Sequence, residues 1–284
     1  MPPATCPVCH APARPIYQTQ LAGAPWMYRC EVCGHCAAQP MPRALATDYD
    51  EGYTASDAAS RKTRRLAPNY LRKIRPYLPP APFRFLEVGG SHGWLAQAVR
   101  DECGAEVLLL EPGRSAVAAA RARGLAAECG YLGSFPLAQS FDVVFAGHVI
   151  EHVPDPGEFL AQCHAAVRPG GLLILLTPNA RAWKLERHGL AWAWAVPQDH
   201  TLFLSPESAR RLVVAQGFEP TAIEGRSPGL THYPFFLVRR LAERQAPAIL
   251  RRAAILPERA LLGLADLAFG ASRADELLVV ARRA

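Results

Sequence analysis

The stretch that most restricts the fold of this chain is Phe83-Arg84-Phe85-Leu86-Glu87-Val88-Gly89-Gly90-Ser91-His92-Gly93-Trp94-Leu95. Residues 83–88 are mostly apolar and read as a short buried strand, and Pro79, Pro80 and Pro82 bar a helix from running into it. Residues 89–93 read as a tight turn. From Trp94 to Arg100 the spacing becomes helical, with Leu95, Ala98 and Val99 on one side. A strand, a glycine turn and a helix N-terminus form half of a site for a nucleotide-like cofactor. Glycine lets the backbone approach the ligand, and the helix start favours negative charge.

The turn is not a dinucleotide fingerprint. G-x-G-x-x-G counted from Gly89 meets Ser91 and Trp94 where glycines are needed. The pattern present is acid-x-G-x-x-x-G, carried by Glu87, Gly89 and Gly93. It resembles motif I of the class I S-adenosylmethionine-dependent methyltransferases, in which a further glycine usually stands at the position of Ser91. Glu106 to Glu111 reads as a second strand ending in a carboxylate, where a ribose diol is gripped in such folds. The resemblance implies a cofactor site of Glu87, Gly89, Gly90, Ser91, Gly93 and Glu111. Many relatives have Gly-Asp after the third strand, the Asp binding the adenine amine. This chain has Gly130-Tyr131, which leaves Tyr131 to stack on adenine.

Later punctuation follows the same plan. A helix is expected over Ser115–Arg123, a third strand over Leu125–Cys129 and a fourth over Phe141–Ala146. Gly147-His148-Val149-Ile150-Glu151-His152-Val153-Pro154-Asp155-Pro156 is similar to the "hvlEHvpdP" stretch of ubiquinone-type O-methyltransferases. A helix with Phe159, Leu160, Cys163 and Val167 follows. Arg168-Pro169-Gly170-Gly171 reads as a turn and Leu172–Thr177 as a fifth strand. This alternation predicts a doubly wound α/β sheet. The resemblance implies a Rossmann-like sheet of seven strands, with Phe218–Glu224 as the sixth and Glu276–Ala281 as an antiparallel seventh. Ser205 reads as the N-cap of a helix with Pro206 at its first position and Gly217 past its end.

Eight cysteines are too few for a disulfide scaffold in 284 residues, and five crowd the first 36. Cys6-Pro7-Val8-Cys9 and Cys30-Glu31-Val32-Cys33 are two C-x-x-C knuckles, the spacing of four thiolates around a structural zinc. Cys33-Gly34-His35-Cys36 is an alternative second knuckle. Residues 1–40 are therefore expected to be a zinc ribbon, 41–80 a linker and lead-in helix, and 81–284 the methyltransferase unit.

In the lead-in helix Leu66, Tyr70, Ile74 and Tyr77 repeat at helical spacing. Arg61, Lys62, Arg64, Arg65, Arg72, Lys73 and Arg75 read as its solvated face. Residues 180–204 are an insertion rich in tryptophan (Trp183, Trp192, Trp194), either a substrate lid or simple core packing. Residues 235–272 suggest helices that cover a sheet edge or offer a dimer or membrane-surface face. No uncharged apolar run reaches the about 20 residues of a membrane span. The net charge of +6 permits an anionic partner without demanding one. These features lead us to expect a cytoplasmic protein.

Methyl transfer from a sulfonium needs alignment and exclusion of water, and a hydroxyl acceptor also needs a base. His148 follows the fourth strand beside the expected methyl position and is the first candidate for base and donor contact, with His200 the second. His152 is expected to be structural. The N/D-P-P-Y/F element of amine-methylating enzymes is replaced by Gly147-His148-Val149, which points to oxygen or carbon. The expected reaction is O-methylation of a small molecule or glycan. Sugar C-methylation, ribosomal RNA methylation through the ribbon, and a non-catalytic scaffold remain the alternatives.

Overall fold

The computed structural model describes residues 4–18, 26–39, 57–135, 137, 140–189, 192, 194–195, 200–226 and 271–284. The expected linker at 41–56 and all but the last two residues of the helical region expected over 235–272 lie outside them. Four short strands open the chain: β1 (Ala4–Thr5), β2 (Pro12–Gln18), β3 (Trp26–Cys30) and β4 (Cys36–Gln39). The central part supplies β5 (Phe83–Val88), β6 (Ala105–Glu111), β7 (Ala126–Cys129), β8 (Phe141–Gly147) and β9 (Val167–Pro178). After them come β10 (Leu202–Phe203), β11 (Phe218–Arg226) and β12 (Glu276–Arg283). The helices are α1 (Asp57–Ile74), α2 (Trp94–Cys103), α3 (Arg114–Ala122), α4 (Pro156–Ala166), α5 (Trp183–His188) and α6 (Pro206–Ala215).

The main sheet has seven strands in the order β11-β12-β9-β8-β5-β6-β7. β7, β6, β5, β8 and β9 run parallel, and β12 is antiparallel to both neighbours. The strands are apolar on both faces because helices cover both. Leu86, Val144, Leu173 and Val279 face α4 and α6, while Phe85, Val143, Ile174 and Leu278 face α1, α2 and α3. The order reverses between β5 and β8, so their carboxyl ends open the crevice in which open α/β sheets bind ligands.

Two local expectations are corrected. The turn expected at Arg168-Pro169-Gly170-Gly171 is the irregular first part of β9. Register with β8 jumps from Phe141↔Val167 to Val143↔Leu172, and Gly170 takes φ +73 to absorb the extra residues. Lys73 is not on a solvated face: it is buried against Glu276. The rest of α1 follows its spacing, with Leu66, Ala67, Leu71 and Ile74 buried; Ala67, Leu71 and Ile74 join the same core as Leu95, Ala96 and Val99 of α2. The lead-in helix is thus a layer of the main α/β unit. Ser205 caps α6 with a reciprocal bond to Ser208, as its sequence indicates.

The ribbon is not an isolated appendage. β10, from the expected insertion, extends the N-terminal sheet to the order β1-β2-β3-β4-β10, pairing Leu202 with Ala37 and Phe203 with Cys36. Met27, Cys36 and Ala38 share a core with Leu185, Trp192 and Phe203. Trp192 is therefore a packing residue, and it donates to Asp275 at 3.1 Å; Trp183 is buried as well.

Candidate active site

The turn after β5 is built as a bare cradle. Gly89 (φ +68) and Gly93 (φ +69) take backbone conformations that suit glycine. A Cβ on Gly89 would lie 2.6 Å from Val149 Cγ2, and one on Gly90 would lie 2.3 Å from Glu87 Cδ. Ser91 also sits at positive φ (+52), the conformation that explains a glycine there in relatives. Its hydroxyl meets His92 Nδ1 at 3.0 Å. Beyond the turn, Trp94 is held between the guanidiniums of Arg64 and Arg123.

Two buried carboxylates tie the cradle down. Glu87 Oε2 accepts the Ala96 N–H at 2.8 Å, which caps α2 because Gly93, at its N-cap, has no side chain to do so. Burial pushes the Glu87 pKa up to about 8, the Ala96 N–H opposes that rise and nearby Glu111 adds to it. Glu111 accepts from Ser91 N at 2.7 Å and from Gly113 N at 3.0 Å, bridging the turn to the start of α3. Tyr131 stands past β7 with its side chain exposed.

At the carboxyl end of β8 the chain makes a second strained step. His148 takes φ +56, a conformation that costs a non-glycine residue about 1–3 kcal/mol unless its surroundings impose it. The surroundings do: His148 N–H donates to Leu176 O at 2.7 Å, and Nδ1 meets Glu151 Oε1 at 3.2 Å. Nε2 meets Glu276 Oε1 at 3.1 Å. The ring lies against Trp194, with centroids 4.5 Å apart. Burial opposes charge on this ring, but its bonds to Glu151 and Glu276 outweigh it and raise the pKa to about 9. Burial likewise opposes ionisation of Glu151 and Glu276, yet His148 holds both carboxyls down at about 2. Glu276 also pairs with Lys73, and Glu151 Oε2 accepts from Thr177 Oγ1 at 2.9 Å.

His148 thus has a carboxylate oxygen within hydrogen-bond reach of each ring nitrogen, an arrangement that favours the charged ring over a free base. His200 differs. Its Nδ1–H donates to Trp194 O at 2.6 Å, which leaves Nε2 with the lone pair. Burial lowers its pKa to about 4, with Glu151 pulling the other way. His152 packs edge-on to His200 at 4.7 Å between centroids. Glu151, His152 and His200 present ligand atoms within 4.8 Å of one another, a group that can hold a metal ion. Glu276 and Lys73 escaped sequence reasoning. The available signals were a glutamate opening an otherwise apolar strand and a lysine beside Ile74.

In the ribbon, Cys6, Cys9, Cys30 and Cys33 bring their sulfurs within 4.8 Å of one another. Cys6 and Cys33 are 3.6 Å apart, Cys9 and Cys30 3.4 Å. Val8 N and Cys33 N each point at a sulfur at 3.4 Å. Burial opposes ionisation of Cys30, but the amides of Cys33 and Val32 bring its pKa to about 7. Cys36 points elsewhere, 3.8 Å from Gly34 O, and His35 is buried with neither ring nitrogen hydrogen-bonded. The four-thiol set is thus the one the first knuckle pair predicts.

This seven-stranded order, with its bare cradle and two carboxylates, defines a class I S-adenosylmethionine-dependent methyltransferase. The sequence profile of the methyltransferase domain family matches residues 57–223, and the chain belongs to that family. A ubiquinone biosynthesis O-methyltransferase of Caulobacter vibrioides is 40% identical over 91 residues, 30% of this chain and 35% of that protein. One of Cereibacter sphaeroides is 30% identical over 176 residues, 57% of this chain and 71% of that protein. The chain thus spans little more than a third of the first relative. Among solved structures, Haemonchus contortus phosphoethanolamine N-methyltransferase 2 in complex with S-adenosyl-L-methionine superposes with a TM-score of 0.56 at 14% identity. That match covers 80% of this chain and 57% of that one, and it speaks for the fold alone. Among the described residues no helix is long and apolar enough to cross a membrane.

Proposed function

We propose that this protein transfers the methyl group of S-adenosylmethionine to a hydroxyl oxygen of a small molecule or glycan intermediate. The observation that carries this reading is the cluster of His148, Glu151, His152 and His200 at the end of β8, beside the cradle after β5. The O-methyltransferase names of the relatives support oxygen as the nucleophile.

The bare backbone of residues 89–93 would hold the amino-acid end of the donor, with Glu87 near its ammonium group. Glu111 would take the ribose and Tyr131 the adenine. Bound there, the donor supplies an electrophilic methyl on a sulfonium. His200 Nε2 takes the acceptor's proton as the oxygen–methyl bond forms, and Glu151 offsets the charge that appears on the ring. So weak a base suits an acidic hydroxyl such as a phenol better than a sugar alcohol. His148 does not move a proton; with Trp194 it orients the acceptor and closes the site to water. The four-thiol set fits a structural zinc: four sulfurs converge, and amides already point at two of them.

The test is mass spectrometry of candidate phenols and sugar intermediates incubated with the protein and methyl-labelled donor. A gain of one labelled methyl on oxygen is expected, and His200→Gln should lower turnover at least a hundredfold without weakening donor binding. Transfer to nitrogen, or unchanged turnover in the variant, contradicts the reading.

A further inference from the structure

We propose that the four-cysteine ribbon is the clamp that positions the acceptor-side wall of the methyl-transfer site. Holding the thiols together then also holds Glu151, His200 and Trp194 in register with the cradle. The inference rests on the reading of these residues as the methyl-transfer site.

The connection is continuous and short. The Cys33 carbonyl, on the knuckle itself, accepts a hydrogen bond from the buried Ser205 hydroxyl. Ser205 Cβ lies 3.4 Å from where a Cβ on Gly34 would be, so the knuckle backbone and the start of α6 are in contact. From the knuckle the chain enters β4, whose Cys36 and Ala37 pair with Phe203 and Leu202. Ala38 N–H donates to Thr201 O at 2.8 Å. Thr201 reaches the site directly: its N–H donates to Glu151 O at 2.9 Å and its hydroxyl to the same oxygen at 3.2 Å. Glu151 in turn holds His148.

His200 precedes Thr201 in the chain and is tied to the Trp194 carbonyl. The ribbon thus reaches the wall through one two-residue strand, whose other anchors are the bridge from Leu204 to Asn179 and the packing of Leu202 in the main core. β10 pairs through only Leu202 and Phe203, and among the described residues its ladder partner is β4. A strand that short has little stability of its own. A four-thiol module of this size draws its folding energy from the bound cation. Loosening the thiols should therefore release β10 and the wall, while the cradle, carried by β5, β6 and α2 on the far side of the site, stays formed.

The experiment is hydrogen exchange on the full chain, as purified, after stripping metal with a chelator, and after zinc is returned. Calorimetry with S-adenosylmethionine is run on the same samples. In the stripped protein, amides 26–39 and 200–205 should exchange at least tenfold faster, while those of β5, β6 and β8 stay protected. The donor dissociation constant should change less than threefold, and returned zinc should restore protection. Ser205→Ala, which leaves every thiol in place, should speed exchange at 202–205 several-fold at unchanged zinc content. The proposal is overturned if 200–205 stay protected while 26–39 open. It is also overturned if all seven main strands open together, or if Ser205→Ala changes nothing at β10. Absence of donor binding in the untreated protein would instead sink the methyltransferase site reading, whatever the exchange pattern.

Discussion

Trp194 lies flat on His148, with ring centroids 4.5 Å apart and planes 1° from parallel. Glu151 and Glu276 at its two nitrogens favour the charged form of His148, and the indole face then meets a cation. An aromatic residue from the insertion therefore completes a polar network rooted in β8, β9 and β12.

Replacing Trp194 by alanine should leave the donor affinity unchanged and raise the acceptor KM about tenfold or more. It should cost about 1–2 kcal/mol of stability, the usual range for a stacked pair with a cation. Steady-state kinetics with an acceptor found by the labelled-methyl screen, beside donor calorimetry, check this. A fall in donor affinity equal to the loss in turnover would place Trp194 in the donor site instead.

The His148 network makes stability depend on pH. The folded pKa of His148 lies above its ordinary 6.5, at about 9. Its contribution is thus complete below about pH 6.5 and lost as pH rises through about 9, on the order of 3 kcal/mol in all. The lowered carboxyls of Glu151 and Glu276 act at the other end: their share is present above about 4.5 and lost as pH falls toward about 2. Denaturant melts from pH 5 to 10 should show stability falling above pH 6.5. His148→Gln should flatten that fall while lowering stability at pH 6 by roughly 3–5 kcal/mol, because buried Glu151 loses its cation and Glu276 keeps only Lys73.

Glu87 separates capping from donor binding. Its pKa is raised to about 8, so its charge counts against the folded state increasingly as pH rises from about 4.5 through 8. Glu87→Gln keeps an oxygen for the Ala96 N–H and removes that charge. The variant should match the parent near pH 4 and be on the order of 4 kcal/mol more stable at pH 9. It should bind the donor about tenfold more weakly. Thermal melts at the two pH values check the first half and calorimetry the second.

Much of this architecture is legible locally. The strand-turn-helix from Phe83, the cap at Ser205 and the two C-x-x-C knuckles each depend on residues a few positions apart, which sequence displays directly. What escapes is tertiary pairing. Lys73 and Glu276 lie 203 positions apart, and nothing near either one marks its partner. β10 has two residues, too short for any alternation to show. The expected turn at Arg168-Pro169-Gly170-Gly171 has turn composition, and it bulges within β9 between Val167 and Leu172, the residues that pair with β8. His148 looks like a free base in sequence, and only the fold brings Glu276 to its second nitrogen.

The central claim is that the donor lies on the turn after β5 with its ribose on Glu111. Calorimetry of S-adenosylmethionine against the parent protein and Glu111→Ala tests it most directly, with circular dichroism to confirm that the variant is folded. One site is expected in the parent, and at least tenfold weaker binding, about 1.4 kcal/mol, in the variant. No heat with the parent, or equal affinity in a folded Glu111→Ala, would contradict the account.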